Sequence, residues 1–130
     1  LQVSWTSGVY FFDGPTSGAG LVFQNGVTPT IDLRAGLTLA GPTNMTIGAT
    51  AIVTAVINVA SSLIQHNQDT ALTGNAGAGN MGGITLGSRG GGGANFSNVR
   101  FYEYIARNVA DSAATQALIQ SYLKAIYGTP

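Results

Sequence analysis

Five carboxylates are available for acid–base chemistry: Asp13, Asp32, Asp69, Glu103 and Asp111. Glycoside hydrolysis needs two of them flanking one bond, ~5–5.5 Å apart for retention or ~6.5–9.5 Å for inversion. No two stand closer than eight positions, so no single strand or turn presents a ready pair. His66 is the one histidine and cannot by itself supply a zinc triad. A Ser-His-Asp triad needs only one histidine, but no G-x-S-x-G elbow accompanies it. Its plain reading is a packing or surface residue at a strand end. There is no cysteine, which excludes thiol catalysis, thiolate metal sites and disulfides. Gly77-Ala78-Gly79-Asn80-Met81-Gly82 spells G-x-G-x-x-G. A dinucleotide fingerprint follows a strand and opens a helix; this one leads into a strand signal, Ile84-Thr85-Leu86, and lacks a P-loop lysine.

Composition narrows the classes further. The 130 residues suit one domain, and 45% hydrophobic residues can build a core. Charged residues make up 8%, against about 25% in an ordinary soluble protein. Five basic residues balance five acidic ones, which argues against a nucleic-acid partner and against a polybasic membrane anchor. The longest apolar stretch, Ala51 to Ile64, is 14 residues with polar interruptions, too short for membrane insertion. A surface with so little charge favours association with other protein subunits. The sequence opens on Leu1 rather than Met, which fits a processed product or a piece of a longer chain.

The elements that must position these residues are mostly short strands. Val9–Phe12 closes on Asp13-Gly14-Pro15; Leu21–Phe23 precedes Asn25-Gly26, a pair that suits a type I′ hairpin turn. Thr30–Leu33 alternates, with Ile31 and Leu33 on one face and Asp32 and Arg34 on the other. Leu37–Leu39 and Met45–Ile47 flank a Gly41-Pro42 turn. Ala51–Asn58 reads as a buried central strand and Ser62–His66 as its successor, with a tight turn at Asn67-Gln68-Asp69. Ile84–Leu86 is a short strand, and Val99–Ile105 alternates well enough to be a longer one. Gly74–Gly83 and Gly87–Asn95 hold ten glycines and read as mobile loops or loops pressed against a neighbour. Ser112–Ile126 changes period: Leu118, Ile119, Tyr122, Leu123 and Ile126 share a helical face, Asp111 or Ser112 can cap the start, and Gly128 follows the end. The pattern predicts an all-β sandwich with one C-terminal α-helix packed on it.

The C-terminal half resembles the closing segment of the concanavalin A-like lectin/glucanase superfamily, in its laminin-G-like bacterial and phage branch. The residues that carry this are Asn98-Val99-Arg100-Phe101-Tyr102-Glu103-Tyr104-Ile105, then Tyr122-Leu123-Lys124-Ala125-Ile126-Tyr127-Gly128, similar to the family's "xEhhhY" strand and "YLxxKYG" helix end, with Ile126 in the usual lysine position. Ala51–Gly74 is similar to the family's central hairpin, although Val59 and Gln68 replace the usual glycines. The resemblance implies one laminin-G-like domain over 1–130, a concanavalin-like jelly roll with a helix at about 112–126, lacking the strands that open the family's domain before Phe11-Phe12-Asp13-Gly14. An edge left open in this way would be completed by more chain or by another subunit.

The family's glucanases carry an E-x-D-x-x-E strand, absent here, so no enzyme is expected. Glu103 is expected to make a structural hydrogen bond or an ion pair, with Arg100 or Arg107 as partner. Members bind calcium through carboxylates and loop carbonyls, which makes Asp13 and Asp69 the candidate calcium ligands. For a glycan or host-surface ligand the candidates are Trp5, Tyr10, His66, Asn67 and Asp69. Asn44-Met45-Thr46 and Asn95-Phe96-Ser97 match glycosylation acceptors, meaningful only on a eukaryotic secretory route. The expected role is a non-catalytic binding or adhesion module, on a virion surface or secreted. The alternative is a structural decoration or assembly module whose open edge docks on neighbouring subunits.

Overall fold

Short β-branched and aromatic runs give eight strands among the described residues, and the stretch of helical apolar spacing after Ser112 gives one α-helix. A computed structural model describes residues 1, 3–15, 21–26, 29–41 and 45–130. The strands are β1 (Tyr10–Asp13), β2 (Leu21–Asn25), β3 (Thr30–Arg34), β4 (Thr38–Leu39), β5 (Val53–Val56), β6 (Ser62–His66), β7 (Leu72–Gly74) and β8 (Thr85–Leu86); α1 spans Ala113–Tyr127. They form two antiparallel sheets, ordered β4-β3-β2-β1-β8 and β5-β6-β7.

The alternation expected in β3 holds. Ile31 and Leu33 are fully buried on the inner face, while Arg34 on the other face is exposed. Asp32 shares the outer face yet is buried, because Asn25 Nδ2 (2.7 Å) and the Gly41 amide (3.0 Å) donate to its carboxylate. A bulge between Tyr10 and Phe12 shifts the β1–β2 register. Phe11 therefore belongs to the core and Phe12 packs beside it, although strict alternation would part them. Tyr10 pairs with Phe23 on the outer side, ring centroids 5.9 Å apart. Ile64 of β6 meets Val22, Ile31, Leu33 and Leu39 in one core, so the two sheets face each other, an arrangement compatible with a sandwich.

Several local expectations are corrected. Asn25 pairs with Thr30, so positions 26–29 connect β2 to β3 and Asn25-Gly26 is no two-residue turn. Met45–Ile47 forms no strand; the Met45 amide bonds the Pro29 carbonyl, the side chain plugs the core, and a turn follows. Pro42 of the expected Gly41-Pro42 turn lies outside the described residues, as does Asn44. β5 is an edge strand rather than a central one, and all its residues are half-buried. β7, which had no alternation to announce it, completes that sheet.

Val99–Ile105 is not a strand. Leu1 and Arg100 exchange both backbone hydrogen bonds (2.9 and 2.7 Å), and the Val3 amide reaches the Asn98 carbonyl at 2.9 Å. Beyond Arg100 no ladder continues among the described residues. Val99 packs on the core and Tyr104 stacks edge-on against Phe12, five positions apart, a spacing that would put them on opposite faces of a strand.

The glycine loops are pinned to their own chain. The Ala76 carbonyl accepts from Ala35 (2.7 Å) and Leu37 (2.9 Å), and Gly79 donates to the Ala35 carbonyl at 2.7 Å. At Gly77 (φ +99°) a Cβ would lie 2.0 Å from the Ala35 oxygen, so only glycine lets the loop approach. Gly90 donates to buried Asp13 at 2.9 Å, tying the second loop to the end of β1.

The helix follows its signals closely. The Ser112 hydroxyl accepts from the Thr115 amide at 3.3 Å, and Gly128 closes the other end at φ 62°. The packed face, however, is Gln116, Ile119, Gln120, Leu123 and Tyr127. Gln120 is buried and donates to Thr54 Oγ1 (2.9 Å) and Gln65 Oε1 (2.6 Å), fastening α1 to β5 and β6.

Candidate functional site

The strand edge, the irregular segment after Arg100 and the packed helix face enclose one large feature, an apolar cleft of about 720 Å³. Phe12, Val53, Ala55, Tyr104, Ile119 and Leu123 line it, and Leu1 stands in its wall. Asn67 donates to the Ile52 carbonyl, so the bonded pairs of the β5–β6 ladder are Thr54–Gln65 and Val56–Leu63. Val53 and Ala55 therefore turn their amides and carbonyls to the outer edge, where no backbone partner meets them among the described residues. Across the cleft, residues 101–110 make no backbone–backbone hydrogen bond among the described residues.

Two pairs of polar groups around the cleft engage each other. Tyr127 donates its hydroxyl to Glu103 at 3.1 Å, and Arg107 pairs with Asp111 at 2.7 Å. Glu103 thus makes the expected structural hydrogen bond, but with a tyrosine of the helix rather than with Arg100 or Arg107. Tyr127 is held above the usual phenol range, first by burial and then by the Glu103 carboxylate. Tyr104 is raised by burial, and the Leu1 amine is lowered by burial and by the nearby Arg100 guanidinium.

The residues expected to bind a ligand form two separate groups. Trp5 donates from Nε1 to the Gly26 carbonyl at 3.2 Å, and Tyr10 lies on the outer side of the larger sheet. His66, Asn67 and Asp69 belong to the turn that ends β6. There Asn67 Oδ1 accepts from the Ile52 amide (2.8 Å), His66 Nδ1 lies 3.3 Å from Asp69 Oδ2, and the Asp69 amide donates to the His66 carbonyl (3.1 Å). These contacts clasp the hairpin. Of the candidate calcium ligands, Asp13 is fully buried and accepts from the amides of Gly14 and Gly90, both at 2.9 Å. Asp69 sits on the other sheet's turn, and no group of three metal-ligating side chains occurs among the described residues. Of the glycosylation acceptors, Asn95 uses its amide to hold the Gly8 carbonyl at 2.6 Å.

Sequence reasoning missed a second feature, an apolar stripe on the outer side of α1. Leu118, Tyr122 and Ile126, spaced four apart, are 72%, 51% and 58% exposed. The expected apolar face held both sets; buried Gln120 rotates the helix so that Ile119 and Leu123 go in and these three stay out. A glutamine at the centre of the packed face was the only available signal. Compared with known proteins, the chain matches no family model, no curated protein and no solved structure.

Proposed function

We propose that this chain is a non-catalytic assembly module whose copies dock through the outer face of α1. The observation that carries the reading is the stripe of Leu118, Tyr122 and Ile126, three large apolar side chains left in water on one helix face. A chain with zero formal net charge opposes such contacts weakly. The resemblance of the C-terminal half to the laminin-G-like branch favours a concanavalin-type jelly roll and a place on a virion surface or outside a cell.

Light scattering without denaturant tests this. The expected result is a mass above that of one chain, growing with concentration, and a return to the single-chain mass in Leu118→Glu and Tyr122→Glu. A single-chain mass for the parent protein at all concentrations would overturn it. The adhesion reading keeps one supporting observation, the half-exposed Tyr10–Phe23 ring pair on the outer side of the larger sheet. Saccharide-array binding lost in Tyr10→Ala would bring that reading forward.

A further inference from the structure

Two apolar surfaces of the molecule face water, and they differ in shape. The first is convex: α1 presents Leu118, Tyr122 and Ile126 outward on a helix whose one charged residue is Lys124. Ser121 and Ala125 beside them are small and exposed, so a partner can come close to the helix there. At a rise of about 1.5 Å per residue, the three large side chains span about 12 Å. The second is concave: the cleft of about 720 Å³ between the β5 edge and the packed face of α1. The four residues of β5, at about 3.3 Å each, give it a wall about 13 Å long. Its rim is also apolar, because Phe101, Tyr102, Ile105 and Val109 border it and each is at least 40% exposed. An exposed apolar area of this kind marks an interaction surface.

The two surfaces complement each other in chemistry as well as in shape and length. The stripe carries no charge, and on the rim Arg107 and Asp111 neutralise each other at 2.7 Å. The Tyr122 hydroxyl has no hydrogen-bond partner among the described residues, and the outward carbonyls of Val53 and Ala55 have no backbone partner there. A tyrosine, apolar in its ring and polar at its tip, suits a wall that is apolar and ends in such carbonyls. We propose that the cleft is the receptor for the α1 stripe of a second copy, so that copies join head to tail. This rests on the docking role of α1 proposed above and adds the surface that α1 meets. Stripe-on-stripe pairing would cover the helix and leave the cleft open, whereas stripe-in-cleft pairing covers both in one contact. The mode is a helix in a groove, anchored by side chains on successive turns of one face. Leu118, Tyr122 and Ile126 lie outside their own chain's cleft, so one helix can line its cleft and still offer its stripe. Each added copy then brings one more free stripe and one more free cleft, and assembly continues until a ring closes or a filament grows.

A mixing experiment followed by light scattering tests the proposal. Leu118→Glu breaks the stripe and keeps the cleft. Ile105→Glu combined with Val109→Glu breaks the rim and keeps the stripe, at two exposed positions outside the core. Each variant alone should show the single-chain mass. An equal mixture should show twice that mass and no more, because one intact stripe meets one intact cleft and the other ends are blocked. A rim variant that assembles as the parent does overturns this inference and leaves docking through α1 standing as a stripe-on-stripe contact. A mixture that stays at the single-chain mass overturns the inference too. A parent chain that is single at every concentration overturns both the inference and the docking role of α1. NMR on the unaltered chain gives a second test that does not depend on how the variants fold. On dilution, the amide signals of Leu118–Ile126 and of Phe101–Val109 should shift together; shifts confined to the helix would refute the cleft as receptor.

Discussion

The two sheets are built from similar residues yet are finished differently. In the five-stranded sheet Val22, Ile31 and Leu33 have no exposed surface, and the two aspartates of that region, Asp13 and Asp32, are buried with backbone amides as partners. In the three-stranded sheet every residue of β5 is half-buried and its outer edge borders a cleft. The comparison teaches that hydrophobic strand composition alone does not make a core. Val53 and Val56 would suit one as well as Val22 does, but burial requires a neighbour on each side, and β5 has one on only one side.

The sharpest way to break this contrast is a matched pair of truncations. Leu33→Ala should cost about 2–5 kcal/mol in denaturant unfolding, the usual range for a filled site that cannot collapse. Val53→Ala should cost about 1 kcal/mol or less, because much of that side chain is never removed from water. Equal losses would mean that the cleft is closed in solution. A smaller effect sharpens the description of the β5–β6 connection. Val59, exposed and leading into β6, holds a left-handed backbone (φ 49°) that a β-branched residue adopts only at a cost. Val59→Gly should stabilise the protein by about 0.5–1 kcal/mol, measured as a higher unfolding midpoint; a lower midpoint would show that the turn tolerates the strain through contacts of the valine.

The smallest effect concerns pH and again belongs to the cleft side. Burial raises Tyr104 above the ordinary phenol value of 10.0. Between that value and its own, the folded chain binds more protons than the unfolded one, so stability falls as pH rises past about 10. Stability should be level below that range with respect to this group, and Tyr104→Phe should flatten part of the alkaline decline, followed by unfolding curves at stepped pH. An alkaline decline unchanged in Tyr104→Phe would place that group in water.

Legibility in the sequence followed the range of the interactions involved. α1 was readable because period, cap and stop lie within one short segment, from Ser112 to Gly128. The faces of β3 were readable for the same reason. Val99–Ile105 alternated like a strand but is none, because a ladder depends on a partner and alternation describes only one side of it. The glycine loops read as slack, whereas Gly77 and Gly90 are fixed by Ala35 and Asp13, far away in sequence. The ligand candidates stand out by residue type, and of them His66, Asn67 and Asp69 come together at one turn, where Asn67 holds the Ile52 amide and His66 faces Asp69. The apolar stripe of α1 was hidden because one face carried both its buried and its exposed members.

The pairing of Leu1 with Arg100 has a kinetic meaning as well. Partners 99 positions apart, like Asp13 and Gly90 at 77, give the fold many contacts between distant parts of the chain. Loop closure over such distances must precede any reward from the contacts, which slows folding relative to a helical protein of equal size. During synthesis β1 can pair with β2 early, but its other side waits for β8. Until then that side of β1 is an uncovered edge on the nascent chain, and the glycine-rich segments must be made before it can be covered.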